Sequence, residues 1–195
     1  MRKSTVKRKT NETNIKVSVN LDGKGKCSID LPVGFMKHML ELFAKHSKMD
    51  LEVKAEGDTY VDNHHLIEDL GIVMGNAIKD ALGDKKGINR YGFFILPMDE
   101  TLVRVSLDFS GRPYFVWKVI DSKVKLGDME FELLKEFWQS FCFNAKMNLH
   151  IELLYGSNLH HIAEGIFKAV AKSMRMAITY DKGFENDIPS TKGMI

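Results

Sequence analysis

Cysteine is scarce in this chain of 195 residues: there are two, Cys27 and Cys142. They match no zinc-ligand spacing, fall in apolar-patterned segments, and read as buried thiols of a reducing compartment. No apolar run approaches the ~18 residues of a membrane span. Charge of one sign is lacking too. Twenty-eight Lys and Arg against 26 Asp and Glu leave a formal net charge of +2, which gives no electrostatic case for nucleic acid or a membrane surface and leaves room only for a local basic pocket. The basic opening, with Arg2, Lys3, Lys7, Arg8 and Lys9, is followed by no apolar h-region, so a secretory signal is not expected. A positively charged strand edge is the simpler reading of it, a trimmed organellar transit segment the other. What remains is the composition of a soluble, cytoplasmic protein, 44% hydrophobic and 28% charged. It is long enough for one large domain or two small ones sharing a core.

The informative residue is histidine. The pattern His-His-x-x-Glu occurs twice, at His64-His65-Leu66-Ile67-Glu68 and His160-His161-Ile162-Ala163-Glu164, and uses four of the seven histidines. Each copy opens an apolar-periodic stretch and so predicts the first turn of a helix. There, residues three and four apart share a face, and either histidine can stand near its glutamate. Adjacent histidines diverge by about 100° around a helix of 3.6 residues per turn, so one pair is badly placed to chelate a single ion, and each motif reads as serving two metals. One copy is common by chance; two favour metal binding over a satisfied surface or core role.

Along the chain, Ile15, Val17, Val19 and Leu21 alternate with polar residues, and Asp22-Gly23-Lys24-Gly25 turns into Cys27, Ile29 and Leu31, predicting a β-hairpin. A helix follows, with Phe35, Met39, Leu42 and Phe43 as its apolar face; it carries His38 and His46 within about 80° of each other. Leu51, Val53 and Ala55 form a strand, Glu56-Gly57-Asp58 a turn, and the helix of the first histidine pair runs to a glycine cap at Gly83. The order then recurs. Strands are expected over 93–96, 102–109 and 114–119, a helix over about 128–146 with a buried stripe of Phe131, Leu134, Phe137, Trp138 and Phe141, a strand over 147–153, and a helix from about His160 to Ile178. Lys48-Met49-Asp50-Leu51 against Lys146-Met147-Asn148-Leu149 adds a local match. The fold class is α+β, two duplicated halves over 1–92 and 93–184, each a small mixed sheet with helices packed on one side. The segment 185–195 holds Pro189-Ser190-Thr191-Lys192-Gly193. Its composition is that of a loop tail, although its hydroxyls, ammonium and amides can also wrap a phosphate.

The duplication sets Lys37-His38-Met39 opposite Lys135-Glu136-Phe137, which makes Glu136 the counterpart of His38. With His64, His65, Glu68, His160, His161 and Glu164 they make eight donors, four for each of two metals. The set is too rich in nitrogen for Mg²⁺ or Ca²⁺ and, without thiolates, unlike a structural zinc site. Octahedral Mn²⁺ or Fe²⁺ would keep positions open for substrate, which implies catalysis. A closed, assembly-stapling metal is the competing reading. Taken singly, Glu136 reads as a solvated helix charge and His150 as a structural strand residue.

The ordered motifs resemble the imidazoleglycerol-phosphate dehydratase family of histidine biosynthesis. They run from Arg8-Lys9-Thr10-Asn11-Glu12-Thr13, through Gly34-Phe35-Met36-Lys37-His38-Met39-Leu40, Asp62-Asn63-His64-His65, Pro97-Met98-Asp99-Glu100, Ser110-Gly111-Arg112-Pro113-Tyr114 and Gly156-Ser157-Asn158-Leu159-His160-His161, to Pro189-Ser190-Thr191-Lys192-Gly193. The resemblance implies two Mn²⁺ per active site, held at His38, His64, His65, Glu68, Glu136, His160, His161 and Glu164. It implies substrate contacts from Glu12, His46 and Lys168, and a phosphate held by Arg90, Arg112, Ser190 and Lys192. It further implies a homo-oligomeric cage of twenty-four subunits with shared active sites, and no nucleic-acid or membrane partner. The implied reaction converts imidazoleglycerol phosphate to imidazole-acetol phosphate: metal cations on the substrate's imidazole nitrogens favour the imidazolate, which expels the hydroxyl on the adjacent carbon. Glu12 is expected to carry the proton transfer, with Asp99 the second candidate.

Two positions depart from the family pattern. Lys37 stands where an aspartate is expected beside His38, which should weaken cation binding unless its side chain points away. Glu136 stands where some members carry histidine, which keeps a donor Mn²⁺ accepts and adds a negative charge. Against the catalytic reading stand a metal-assembled storage or structural protein, for which the phosphate residues would have no use, and a ferritin-like di-iron oxidase, which this strand-rich chain argues against.

Overall fold

Strand alternation is strongest where one face must be dry. In β2 (Thr13–Asn20), Ile15, Val17 and Val19 point inward and are fully buried, while the residues between them do not. β2 pairs antiparallel with β1 (Lys3–Lys9), whose largely exposed, lysine-rich sequence makes it the charged edge of its sheet, a standard guard against edge-to-edge aggregation. The structure, a computed structural model, describes residues 2–184, 186–193 and 195. Position 185, the expected start of the tail, lies outside them.

The predicted hairpin between β2 and β3 (Cys27–Asp30) does not form. β2 pairs instead with β4 (Asp50–Gly57), and β3 lies parallel on the far side of β4, giving the order β1-β2-β4-β3. The reason is Asp50. Its Oδ1 accepts the backbone N–H groups of Lys24 (2.9 Å) and Lys26 (3.0 Å), so the glycine-containing loop wraps the start of β4 instead of closing a tight turn. Cys27 is a second correction. At the outer edge of the sheet its side chain is exposed, whereas Cys142 is fully buried, its thiol donating to the Met147 carbonyl at 3.0 Å and pushed by burial to a pKa of about 12.

The second sheet repeats the first: β5 (Tyr91–Met98), β6 (Thr101–Asp108), β10 (Asn148–Tyr155) and β7 (Tyr114–Lys118) stand in the order β5-β6-β10-β7, with β7 and β10 parallel as β3 and β4 are. It begins at Tyr91, two residues ahead of the 92/93 division read from the sequence. A parallel pair needs a crossover, supplied by α1 (Gly34–Ser47) in the first half and α3 (Leu133–Ala145) in the second. Both helices end on a left-handed lysine, Lys48 at φ 63° and Lys146 at φ 55°, followed by a buried methionine. That shared ending is the physical content of the Lys-Met repeat. α3 starts later than expected, because residues 125–130 form the small hairpin β8 (Lys125–Leu126) and β9 (Met129–Glu130) about Gly127 at φ 63°.

The helices exchange partners between halves. α1 packs on α4 (Leu159–Ile178), and α3 on α2 (His64–Leu82). α2 and α3 approach backbone to backbone, since a Cβ at Gly71 or Gly75 would lie 2.5 Å from the carbonyl oxygens of Phe137 and Phe141 respectively. Between the layers the expected stripe of Phe131, Leu134, Phe137, Trp138 and Phe141 is buried, and Phe167 of α4, outside that stripe, packs against Phe137 and Trp138.

Candidate metal centres and anion cavity

Both histidine pairs open a helix. Asn158 caps α4, its side-chain oxygen accepting the N–H of His160 (2.9 Å) and of His161 (3.4 Å); Asp62 accepts the N–H of His64 at 2.8 Å at the start of α2. As the helical geometry dictates, neighbouring rings splay apart: the centroids of His64 and His65 are 6.3 Å apart at 88°, those of His160 and His161 6.4 Å apart at 85°.

Because α1 lies against α4, His38 reaches the second motif. Its Nε2 donates to Glu164 Oε1 at 3.2 Å, and His160 Nε2 donates to the same oxygen at 3.0 Å. The donor atoms of His38, His160 and Glu164 all lie within 4.8 Å of one another. These spacings suit a transition-metal ion with bonds of ~2.1 Å, and two imidazoles with one carboxylate suit Mn²⁺, Fe²⁺ or Zn²⁺ better than Mg²⁺. Lys168 ion-pairs with the other oxygen of Glu164. Burial pushes the Glu164 carboxyl up, but Lys168, His38 and His160 outweigh it and hold it at about 2. His46, two turns after His38, is lowered by burial and by the charges of Lys168, Lys172 and Lys48. Lys37 faces solvent and makes no ion pair among the described residues, so it does not displace the His38 ring.

The counterpart cluster is looser. His64 Nε2 stands 3.8 Å from Glu68, and His64 and Glu136 line one cavity of about 460 Å³. His65 and His161 join neither cluster and instead donate through Nδ1 to carboxylates, His65 to Asp58 at 3.0 Å and His161 to Glu100 at 2.7 Å. Those bonds raise both histidines above their ordinary value and fix the neutral tautomer whose free lone pair is on Nε2. Glu100 also accepts the Asn158 N–H, and His161 and that amide hold its carboxyl at about 2. Glu12 lies 4.0 Å from His65 Nδ1 and Asp99 3.7 Å from His161 Nε2, both exposed. The sequence carries no signal for the orienting contacts of Asp58 and Glu100: Asp58 has the look of a plain turn residue, and Glu100 follows Asp99 in a turn between strands.

Arg90, Tyr91, Arg112, Pro189, Ser190, Thr191 and Lys192 line a separate cavity of about 360 Å³. Arg90 donates to Asp108 from Nε (2.7 Å) and Nη2 (3.1 Å) and to the Pro189 carbonyl (2.7 Å), which ties the tail to the second sheet. The Ser190 hydroxyl accepts the Lys192 N–H at 3.2 Å. This cavity shares no lining residue with the one at His64.

Duplicated sheets carry a helix-borne histidine–carboxylate cluster and a separate cationic cavity, the features by which a small-molecule enzyme site is recognised. Residues 31–174 match the family model of imidazoleglycerol-phosphate dehydratase. Curated imidazoleglycerol-phosphate dehydratases of Rhodopseudomonas palustris and Azorhizobium caulinodans are each 51% identical to the chain over all of its length and 99% of theirs. The crystal structure of the Staphylococcus aureus enzyme superposes with a TM-score of 0.83 at 39% identity, covering 92% of this chain and 99% of that one. The Pyrococcus furiosus enzyme superposes with a TM-score of 0.82 at 33% identity, covering 97% of this chain and 100% of that one. The chain belongs to the imidazoleglycerol-phosphate dehydratase family and is a dehydratase, a carbon–oxygen lyase.

Proposed function

We propose that this dehydratase converts imidazoleglycerol phosphate to imidazole-acetol phosphate in histidine biosynthesis, as a cytoplasmic homo-oligomer of twenty-four subunits using two Mn²⁺ per active site. The observation that carries the proposal is the convergence of His38 from one half with His160 and Glu164 from the other on one point. His38, His160 and Glu164 would hold one ion, and His64, Glu68 and Glu136 the other. His65 and His161, turned outward and oriented by Asp58 and Glu100, would each supply the missing ligand of a neighbouring copy's cluster. When bound, the metal pair would supply the positive charge that favours loss of the substrate's imidazole proton.

The chain's own residues do the remainder. Arg112, Lys192 and Ser190, with Arg90 fixed against Asp108, bind the phosphate and so orient the substrate. Lys168 keeps Glu164 ionised and stands ready to donate toward a substrate oxygen. Glu12, exposed beside His65, takes the proton from the carbon next to the one that loses hydroxyl, with Asp99 beside His161 the second candidate for that role. A closed metal that merely staples subunits would leave the cavity of Arg112, Ser190 and Lys192 without purpose.

The test is dehydration of imidazoleglycerol phosphate by metal-stripped protein with and without Mn²⁺, following the ketone. Activity restored by Mn²⁺ is expected. Full activity after complete metal removal would refute the metal assignment, and no activity with metal bound and the oligomer intact would refute the reaction.

A further inference from the structure

The helix that carries His38 starts without a cap of its own. Val33, at the N-cap of α1, has no side-chain acceptor, and an apolar residue is among the poorest choices there. The acceptor comes from far along the chain. Asp128, in the turn between β8 and β9, takes the N–H of Gly34 on Oδ2 at 2.6 Å and that of Phe35 on Oδ1 at 3.0 Å. A carboxylate at this end of a helix also meets the positive pole of its dipole. What it fixes lies against the donor cluster around Glu164. The Phe35 ring stands edge-on to His160, centroids 5.4 Å apart at 84°, and the ring of His38, three residues along the same helix face, is 6.2 Å from that of His160.

The same turn reaches the other histidine pair. Asn63 is the N-cap of α2 and of a residue type well suited to capping, yet its side chain accepts no bond from its own helix. Its Nδ2 donates instead to the Asp128 backbone carbonyl at 2.7 Å. In the second half Asn158 caps in the ordinary way, accepting the N–H groups of His160 and His161. Asn63 is thus diverted from local capping to a distant contact, immediately before His64 and His65. The turn that offers these bonds is itself pinned: Lys125 and Glu130 pair across it at 2.8 Å, and Gly127 takes the left-handed φ of 63° that the reversal demands.

We infer that Asp128 is a positioning residue for both donor clusters of the chain: its carboxylate sets the start of α1, and so Phe35 and His38 against His160, while its carbonyl sets Asn63 and the histidine pair that opens α2. The inference rests on the metal reading of those clusters. None of these bonds involves a donor atom, so Asp128 acts on Mn²⁺ binding only through the two helix starts that it holds together.

The experiment is Mn²⁺ binding to the full-length, assembled protein, measured by competition with a chelator well below the unfolding temperature, for the unaltered chain, Asp128→Ala, Asp128→Asn and Asn63→Ala. Metal-free melting temperatures are recorded beside it. Asp128→Ala is expected to raise the Mn²⁺ Kd of one site about tenfold, and Asn63→Ala that of the other by a smaller factor. Asp128→Asn, which keeps one acceptor oxygen and the carbonyl, should recover most of the affinity. A cap with a purely structural role would lower the metal-free melting temperature and leave the Mn²⁺ affinity of the folded protein alone. Unchanged affinity in either Asp128→Ala or Asn63→Ala, with the unaltered chain binding two ions, would overturn the inference and leave the metal reading standing. An unaltered chain that binds no Mn²⁺ would remove the metal reading and the inference together. If Asp128→Ala does not assemble, Asn63→Ala decides by the same criteria.

Discussion

The donor clusters around Glu164 and Glu68 descend from one repeated unit and differ in finish. Glu164 is buried and shared by His38, His160 and Lys168, whereas Glu68 is about half exposed and, among the described residues, pairs only with His64, at 3.8 Å. They differ in charge as well. The first has two imidazoles and a carboxylate balanced by Lys168; in the first half of the chain His64 stands near Glu68 and shares one cavity with Glu136, the position that corresponds to His38. The first cluster is held together by contacts within the chain, while the second has only the longer His64–Glu68 contact among the described residues. Duplication thus copies geometry readily, but charge only as far as each later substitution allows.

The largest expected effect is at the finished cluster. Glu164→Ala would leave His38, His160 and Lys168 facing one another without their shared anion, and we expect kcat/KM to fall by about 10³-fold with loss of bound Mn²⁺. A drop of less than tenfold would show that the organised cluster is dispensable. Next come the orienting carboxylates, one in each half. Glu100→Ala and Asp58→Ala should each cost about 10- to 100-fold in metal affinity, measured by competition with a chelator. Equal losses would mean that the halves contribute alike despite their unequal clusters.

Glu136→His would make the clusters chemically alike. The expected outcome is a shift of preference from Mn²⁺ toward Zn²⁺ of about tenfold, read in direct competition, since imidazole is the softer donor. An unchanged preference would mean that Glu136 does not set the character of its cluster. The smallest effect is on pH dependence. His65 and His161 are raised by their bonds to Asp58 and Glu100. In metal-free protein the stabilisation from these pairs is complete below the ordinary histidine value of ~6.5 and fades as pH rises through the raised values. Metal requires the unprotonated ring, so in loaded protein affinity falls as pH drops through that same interval. Melting temperatures with and without Mn²⁺ between about pH 5.5 and 8.5 should therefore diverge as pH rises; parallel curves would separate these histidines from the metal.

Much of this was legible in local pattern. The His-His-x-x-Glu copies and the Lys-Met ends of α1 and α3 are short-range signals, and the structure uses each of them at a helix terminus. What was not legible depends on contacts distant in sequence. The β2–β3 hairpin failed because a carboxylate 24 residues beyond Lys26 claims the loop's amides. Cys27 lies in an apolar-looking segment, yet only its neighbour Ile29 faces inward. Asp128 reads as the start of a helix and instead caps another one, its carboxylate accepting the N–H groups of Gly34 (2.6 Å) and Phe35 (3.0 Å) at the first turn of α1. Asp58 and Glu100 are equally silent in sequence, since a carboxylate near a turn is ordinary until its partner is known.

The crossed pairing of helices has a consequence for the history of the molecule. With α1 seated on α4 and α2 on α3, neither half can close its own hydrophobic layer. An ancestral single-repeat chain of this shape would have needed a second copy to cover the same faces, so the fused protein reads as an old homodimer sewn into one polypeptide. Once joined, the repeats were free to diverge in side chains, as Glu136 has, but not to part company.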